Sequence, residues 1–191
     1  MKKSKAETAK TRQKILEVAS EVIRSRGIEA TGVAEIMAAA GLTHGGFYRH
    51  FGSKEELVTE ALALSRKDYL AGTVTAAKQG PEALLKHFQE YVTADSRDDI
   101  GGGCPLAANG SEIVRSDAIT RHNATDAFRL WFGKAVPYMR AQDEEGKTEM
   151  AINLVTNMIG ALMMSRMVDD PVLSDKILEV ARRRIAETID R

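Results

Sequence analysis

The sequence predicts an all-α protein, and three kinds of observation support that prediction. Helix-forming residues dominate the composition: hydrophobic residues make up 43% of the 191 positions, aromatic residues only 5%, and there are four prolines. Apolar residues recur at helical spacing along most of the chain. Glycines, prolines and capping residues separate these stretches. A chain of this length is long enough for one or two domains with a hydrophobic core.

The first helix is expected to follow Ser4. Ser4 and Glu7 have the spacing of a capping box, in which each side chain satisfies a backbone N–H at the helix start. Gly27 is suited to end the helix, and Ile28 then returns to the core. Between these limits one apolar face repeats at helical spacing, through Ile15, Leu16, Ala19, Val22 and Ile23.

Residues 33–54 are the stretch around which the chain is organised. Gly32 and Glu35 suit the start of a short helix that Gly41 ends, and Thr43 is placed to cap a second short helix. Two short helices joined by a glycine turn form the helix-turn-helix pattern. This stretch therefore predicts a three-helix, N-terminal DNA-binding element.

The second helix of the pair, residues 44–51, is expected to present one face to the core and one to its surroundings. Phe47 and Phe51 lie four residues apart, so they share a face and anchor the helix to its neighbours. His44 and Tyr48 are also four apart and share a neighbouring, outward face.

Two glycines make this second helix weak. Gly45 and Gly46 each cost about 1 kcal/mol inside a helix. That cost is explained if the backbone closely approaches another surface, such as the base edges in the major groove of DNA. The alternative interpretation is a frayed connector, in which a glycine costs little.

The rest of the chain is expected to form six more helices. Ser53 and Glu56 form a second capping box at the start of a long helix that ends near Lys78. Pro81 opens the next helix, and three glycines before Cys104 then interrupt the helical pattern. Later helices are expected at residues 106–114, 150–168 and 173–189. Another is expected after the possible caps Ser116 and Asp117, through Ile119 to about Ala141 with a possible kink at Pro137, and residues 143–146 are expected to be a loop or a helix start.

The charge of the chain is balanced overall but unevenly distributed. The chain has 27 basic and 27 acidic residues, yet residues 1–54 contain ten Lys and Arg against five Asp and Glu. A basic first quarter on an acidic remainder indicates a polyanion-binding site at one end of the molecule. The alternative is that a short basic N-terminus serves solubility alone.

Several classes of protein are disfavoured. No apolar run approaches the roughly 18–20 residues that span a bilayer, and the basic start lacks the apolar core of a signal peptide. One cysteine excludes an internal disulfide framework and suits a reducing cytoplasm. No phosphate-binding loop, zinc-ligand cluster or paired-carboxylate motif is present, so we expect no cofactor, no metal and no catalytic residues. An enzyme based on Cys104 with His87 or His122, and a helical adaptor protein, remain as alternatives.

Residues 29–57, EATGVAEIMAAAGLTHGGFYRHFGSKEEL, resemble the DNA-binding domain of the TetR/AcrR family of bacterial repressors. The resemblance covers about the first third of the chain, and the remainder resembles the family in helical character and length. The family pattern is met by Thr31, Ile36, Ala40, Gly41, Thr43, Gly45, Tyr48, His50, Phe51, Ser53, Lys54, Glu55 and Leu57.

The resemblance implies a homodimer of about nine helices that binds a double-stranded DNA operator. Residues 1–54 would be the DNA-binding domain, and residues 55–191 would bind a ligand and dimerise. The last two helices would form a four-helix bundle with those of the partner, which would explain why residues 150–168 are apolar on most sides. The expected interface residues are Ile152, Val155, Ile159, Leu162, Met163, Leu173, Ile177 and Ile185.

The resemblance also implies which residues contact DNA. Thr43 and Lys54 match positions that contact phosphates, at helix starts that favour anions. The full set of expected contacts is Thr31, Thr43, His44, Gly45, Gly46, Tyr48, Arg49, His50 and Lys54. Two departures matter: His44 stands where lysine is common, and Gly32 and Gly46 stand where threonine or serine is often found. Arg49 is therefore the strongest candidate for direct readout of bases.

The sensing end is expected in the second domain, where an unknown small molecule would release the DNA. The side chains expected to line its pocket are Phe88, Tyr91, Cys104, Phe128, Trp131 and Met158, with ordinary core packing as the alternative for each. Cys104 follows three glycines at a helix start, where a thiolate is favoured, and the segment is similar to that of electrophile-responsive members of the family. Cys104 is therefore either a sensor or a small buried residue.

Overall fold

The computed structural model describes residues 4–189, without the side chains of residues 68 and 69. Lys2 and Lys3, part of the basic first quarter, lie outside this range. The described chain is all-α, as predicted, with an isolated bridge between Met139 and Ile189. Its α-helices are α1 (Lys5–Arg26), α2 (Val33–Ala39), α3 (Lys54–Gln79), α4 (Pro81–Tyr91), α5 (Ala94–Asp98), α6 (Pro105–Ile113), α7 (Ala118–Ala135), α8 (Glu144–Met167) and α9 (Pro171–Thr188); 3₁₀-helices cover His44–Arg49 and Val136–Tyr138.

The predicted helix starts and stops are present in the N-terminal half. Ser4 and Glu7 form the full capping box, with the Ser4 Oγ accepting from Glu7 N–H and the Glu7 carboxylate accepting from Ser4 N–H. Gly27 ends α1 at φ 96°, a backbone conformation that favours glycine. Ser53 caps α3 by accepting from Glu56 N–H, but the Glu56 carboxylate binds the N–H of Gly52 rather than that of Ser53. The second capping box is therefore formed only in part.

Three features of the C-terminal half differ from the expectation or resolve it. α7 ends at Ala135, not near residue 141, because Pro137 continues the chain as a 3₁₀ turn that lacks one backbone donor. α8 begins at Glu144, where Asp143 accepts from Gly146 N–H, so residues 143–146 are a helix start. α5 was not predicted; Thr93 caps this single turn.

Two hydrophobic cores organise the molecule. The first lies among α1, α2, residues 44–51 and the start of α3, and the second lies among α4 and α6–α9 with the later part of α3. Leu57, Val58, Ala61 and Leu62 of α3 belong to the first core, and Leu70 and Ala76 to the second. Leu106 packs against both cores. α3 is therefore one continuous helix that contributes to both cores, with its first part in the first core and its later part in the second.

Candidate nucleic-acid interface

The recognition segment, residues His44–Arg49, is held by its aromatic side chains rather than by its own helical stability. It forms a 3₁₀-helix whose N-cap, Thr43, makes no side-chain cap. Gly41 makes the preceding turn at φ 72°. Phe47 and Phe51 are buried in the first core with their rings stacked at 5.7 Å, which confirms that both are anchors.

The opposite face of the recognition segment is open to solvent. Tyr48 is 71% exposed, and its ring packs edge-on against Phe47 with ring centroids 5.2 Å apart. This contact holds the phenol away from the core. His44 and Arg49 are exposed beside it. The segment thus presents an aromatic hydroxyl, an imidazole and a guanidinium to solvent.

The glycines of this segment are not required by the fold. Neither Gly45 nor Gly46 has a positive φ. A Cβ atom added at Gly45 would meet nothing within 4 Å, and one added at Gly46 would lie 3.6 Å from Met37 Cε, an ordinary contact. Because the protein itself leaves room for side chains here, the absence of side chains favours close approach by a surface outside the chain.

The structure changes the set of expected DNA contacts. Thr43, His44, Gly45, Tyr48 and Arg49 are exposed, and Gly46, His50 and Lys54 are partly buried. Thr31 was a wrong assignment, because its side chain is fully buried and its hydroxyl donates to the Gly27 carbonyl at 2.7 Å. That hydroxyl stabilises the turn after α1 and is not available to a phosphate.

A contact between α6 and the helix-turn-helix was missed at the sequence level. The Glu112 carboxylate accepts the backbone N–H groups of Ile28 at 3.0 Å and Glu29 at 3.1 Å. Asn109 donates its amide to the Ile23 carbonyl at 3.0 Å and to Glu112 at 3.2 Å. Burial raises the pKa of Glu112, but the hydrogen bonds outweigh it and leave the pKa below its ordinary value. We call Asn109 and Glu112 the α6 clasp. In the sequence, the feature that could have indicated this contact is a pair of polar residues three positions apart on a short apolar helix.

The six side chains expected to line an effector pocket come together in or against the second core. Phe88, Tyr91, Trp131 and Met158 are buried in the second core, and Phe128 packs against it. Tyr91 and Trp131 meet edge-to-face at 5.1 Å. These residues therefore pack as ordinary core in this state, in line with the alternative interpretation.

An open groove lies instead between α3 and α7. It has a volume of about 800 Å³ and an apolar floor that includes Leu70, Val74 and Leu130, with Arg66 and Lys67 at its edge. Next to it, around Leu106 and Asn123, lies a cavity of about 20 Å³, which is enough for a single water molecule. The volume of this open groove lies within the range of small-molecule sites.

Cys104 occupies the N-cap position of α6 and is buried in the second core. Burial raises the pKa of its thiol, although the backbone N–H of Ala107, the Tyr91 hydroxyl and the charge of Arg166 act in the opposite direction. In this conformation the loss of hydration outweighs the effect of the helix start on the pKa of the thiol. Its burial agrees with the alternative interpretation, a small buried residue at a loop-to-helix junction.

The expected dimer residues divide between two faces of α8 and α9. The prediction that Val155, Leu162 and Ile185 lie in the dimer interface was wrong. Their side chains are buried in the chain's own second core and cannot reach a partner. Ile152 and Leu173 are exposed, and Ile159, Met163 and Ile177 are partly buried. The outer face is a shallow groove lined by residues that include Gly160, Ala161, Met164, Leu173, Ile177 and Val180.

Within residues 4–189, no helix is both long enough and apolar enough to cross a membrane. In the same range, no group of three or more His, Cys, Asp or Glu side chains is arranged to hold a metal ion.

Comparison with known proteins points to one family. Residues 15–61 match the family model for bacterial regulatory proteins of the tetR family. The transcriptional regulator AcrR of Shigella flexneri is 40% identical over 67 residues, which span 35% of this chain and 31% of that protein. The repressor KstR2 of Mycobacterium tuberculosis is 45% identical over 51 residues, which span only 26% of that protein. The two relatives thus match 35% and 27% of this chain, respectively.

Other known proteins match most of the length of this chain at lower sequence identity. A transcriptional regulator of Mycobacterium tuberculosis, Rv0196, is 24% identical over 83% of this chain and 86% of its own length. The reduced form of Escherichia coli NemR superposes with a TM-score of 0.80 at 19% identity, over 94% of this chain and 97% of that one. A TetR-family regulator from Cytophaga hutchinsonii gives a TM-score of 0.78 at 24% identity over 99% of this chain.

A helix-turn-helix with an exposed recognition segment, joined through a long helix to a second all-α unit, defines a DNA-binding transcriptional regulator. The matched segment and the shared fold narrow this class further. Residues 15–61 therefore carry the DNA-binding domain of the TetR family of bacterial transcriptional regulators, and the chain as a whole shares the fold of solved regulators.

Proposed function

We propose that the chain is a homodimeric repressor that binds an operator through residues 43–54 and leaves it when a small molecule binds the second helical unit. The observation that carries the proposal is the recognition segment. Phe47 and Phe51 fix it in the core, while Tyr48 and Arg49 face outward beside glycines that the fold does not require. Two relatives that match part of the chain are named as transcriptional repressors.

The recognition segment would enter the major groove. Arg49 is the side chain best suited to read a base, because guanidinium groups bind guanine with two hydrogen bonds. Thr43 and Lys54 lie at helix starts, where backbone N–H groups favour phosphate oxygens, and Tyr48 would complete the backbone contacts. Gly45 would allow the groove wall to approach the peptide backbone directly.

Two copies of the chain would pair through the outer faces of α8 and α9. Leu173, Ile177 and Val180 provide the apolar contacts there, and Gly160 and Ala161 allow two helices to approach closely. A dimer presents two recognition segments, which must be spaced about one helical turn of DNA apart, or slightly more, to reach successive major grooves. Repression would require the conformation with that spacing. We keep the division into domains 1–54 and 55–191 as part of this proposal.

The effector would act through α3. An apolar molecule in the groove between α3 and α7 would contact the helix that begins shortly after the recognition segment and forms part of both cores. A ligand shifts the population toward the conformation that it binds more tightly, so a ligand that favours the wrong spacing releases DNA. The α6 clasp would give a second mechanical connection between the two units. Modification of Cys104 is the alternative trigger, and it would require an opening that exposes the buried thiol.

The DNA interface is tested by binding to the DNA immediately upstream of the protein's own coding sequence. Tyr48→Ala and Arg49→Ala are expected to reduce affinity by at least about tenfold each, the equivalent of one good polar contact. Arg129→Ala is the matched control, because Arg129 is an exposed arginine on α7, in the second unit. Binding by both recognition-segment variants that equals that of the wild type would refute this mode of docking.

A further inference from the structure

We propose that Arg12, on α1, is the residue that positions the recognition segment, and that Glu56 and Glu60 of α3 act through it. The inference rests on the proposed DNA-binding function. It assigns to a side chain outside the helix-turn-helix the task of fixing where Tyr48 and Arg49 point.

Arg12 makes two contacts just after the recognition segment, one with the Phe51 ring and one with a peptide carbonyl. Its guanidinium carbon lies 4.4 Å from the centroid of the Phe51 ring, in a cation–π arrangement. Its Nε–H donates to the carbonyl of His50 at 3.2 Å, the C-cap of the recognition segment. A carbonyl at a helix end has no partner within the helix, so this bond satisfies a group that the segment itself leaves open.

The same guanidinium is fixed from the other side by α3. Nη2 of Arg12 lies 2.5 Å from Glu60 Oε1 and 3.7 Å from Glu56 Oε1. The second oxygen of Glu56 accepts the Gly52 N–H at 2.7 Å. The connector between the recognition segment and α3 is therefore held at two peptide groups, the His50 carbonyl and the Gly52 N–H, by one network of three charged side chains.

This network compensates for a weak segment. A 3₁₀-helix of six residues with two glycines has poor internal hydrogen bonding and no capping side chain. Its core face is fixed by Phe47 and Phe51, and its C-terminal end is fixed by Arg12. The side chain of Arg12 is 33% exposed and its charge is paired with two carboxylates. Its role is thus to orient the segment rather than to neutralise a phosphate.

The proposal predicts that removing the charge of Glu60 changes operator affinity in the direction opposite to that expected from long-range electrostatics. Removing a negative charge near a DNA-binding surface raises affinity when only long-range electrostatics operates. If Glu60 holds Arg12 in place, Glu60→Gln instead lowers affinity for the operator by several-fold while raising affinity for unrelated DNA. Glu17→Gln is the matched control, since Glu17 is an exposed carboxylate on α1 outside the network.

The experiment measures operator affinity for Arg12→Met, Glu60→Gln and the double variant, with Glu17→Gln and Arg26→Met as controls. We expect Arg12→Met to lose about tenfold, as for one hydrogen bond to a charged group. The double variant should lose no more than Arg12→Met alone, because the two residues act as one unit. Arg26→Met removes another ion-paired arginine of α1 and should change affinity little.

The salt dependence separates positioning from direct contact. The slope of log affinity against log salt is set by the number of phosphates neutralised, at about 0.9 per phosphate. Arg12→Met is expected to keep the wild-type slope. A slope reduced by about one unit would overturn the proposal and make Arg12 a phosphate contact. An increase in operator affinity on Glu60→Gln would also overturn it.

Amide hydrogen exchange in the free protein gives a second readout that does not depend on DNA. Peptides that cover residues 44–53 should exchange faster in Arg12→Met and Glu60→Gln than in the wild type and both controls. Unchanged exchange in both variants would refute the positioning role. If the wild type binds no double-stranded DNA, the proposed function fails, yet the exchange data still decide whether Arg12 orders the segment.

Discussion

The α6 clasp gives a prediction with a defined magnitude and a defined pH dependence. Glu112 accepts two backbone N–H groups of the turn after α1, at 3.0 and 3.1 Å. In Glu112→Gln one side-chain oxygen remains and can still accept one of these N–H groups. The NH₂ group that replaces the other oxygen is itself a donor, so it cannot accept the second N–H. A hydrogen bond to a charged group contributes about 1.5–3 kcal/mol. Because the site is only partly buried and water recovers some of the loss, we expect the free energy of unfolding to fall by about 1–2 kcal/mol.

The sign of the pH dependence follows from the direction of the pKa shift. The pKa of Glu112 is lowered in the folded protein, since the hydrogen bonds from Glu29, Ile28 and Asn109 outweigh the effect of burial. The carboxylate therefore contributes its full stability above the unfolded pKa of about 4.3. This contribution is lost as the pH falls through the folded pKa. The difference between wild type and variant should be present at pH 7 and shrink towards pH 3.

Urea unfolding at fixed protomer concentration measures this difference over the pH series. Glu149→Gln is the control, because Glu149 is an exposed carboxylate on α8, and its substitution should change stability little at any pH. The reasoning is refuted if Glu112→Gln has wild-type stability at pH 7, or if its loss of stability is the same from pH 7 to pH 3.

Three further predictions concern single side chains. Burial raises the pKa of Cys104, so an aromatic disulfide reagent at pH 7 should react with the folded protein at least about tenfold more slowly than with the urea-unfolded chain; equal rates would contradict this. Leu173→Glu places a charge on the exposed outer face and should convert the proposed dimer to a monomer in light scattering, whereas Val114→Glu, at an exposed apolar site before α7, should leave the oligomeric state unchanged. Thr31→Val should cost about 1 kcal/mol of unfolding free energy and leave operator affinity unaltered; a tenfold loss of affinity would restore Thr31 as a DNA contact.

The sequence was most informative where a local rule determines the structure. The Ser4 capping box, the Gly27 stop and the Phe47 and Phe51 anchors are all present. Each depends on residues within four positions of one another, so the sequence alone contains the information. Pro137 illustrates the limit of such rules, because a proline can either kink a helix or end it. Here the helix ends and a 3₁₀ turn follows, an outcome that depends on packing.

Side-chain destinations were less predictable, because they depend on contacts between distant parts of the chain. Apolar residues on α8 and α9 are similar in sequence whether they face the chain's own core or outward, so Val155, Leu162 and Ile185 were misassigned. The contact between Glu112 and Ile28 joins residues 84 positions apart. Arg12 and His50 are 38 positions apart. No periodicity within one helix identifies such a partner.

The salt dependence of DNA binding by the wild-type protein tests the central claim most directly. Affinity for the DNA upstream of its own coding sequence is measured over a range of salt concentrations, beside an unrelated duplex of equal length. We predict that log affinity falls linearly with log salt, with a slope of about 0.9 per phosphate contact, and that the operator stays preferred throughout. Equal affinity for the two duplexes, or affinity that is independent of salt, would contradict the assignment of residues 43–54 as an operator-binding surface.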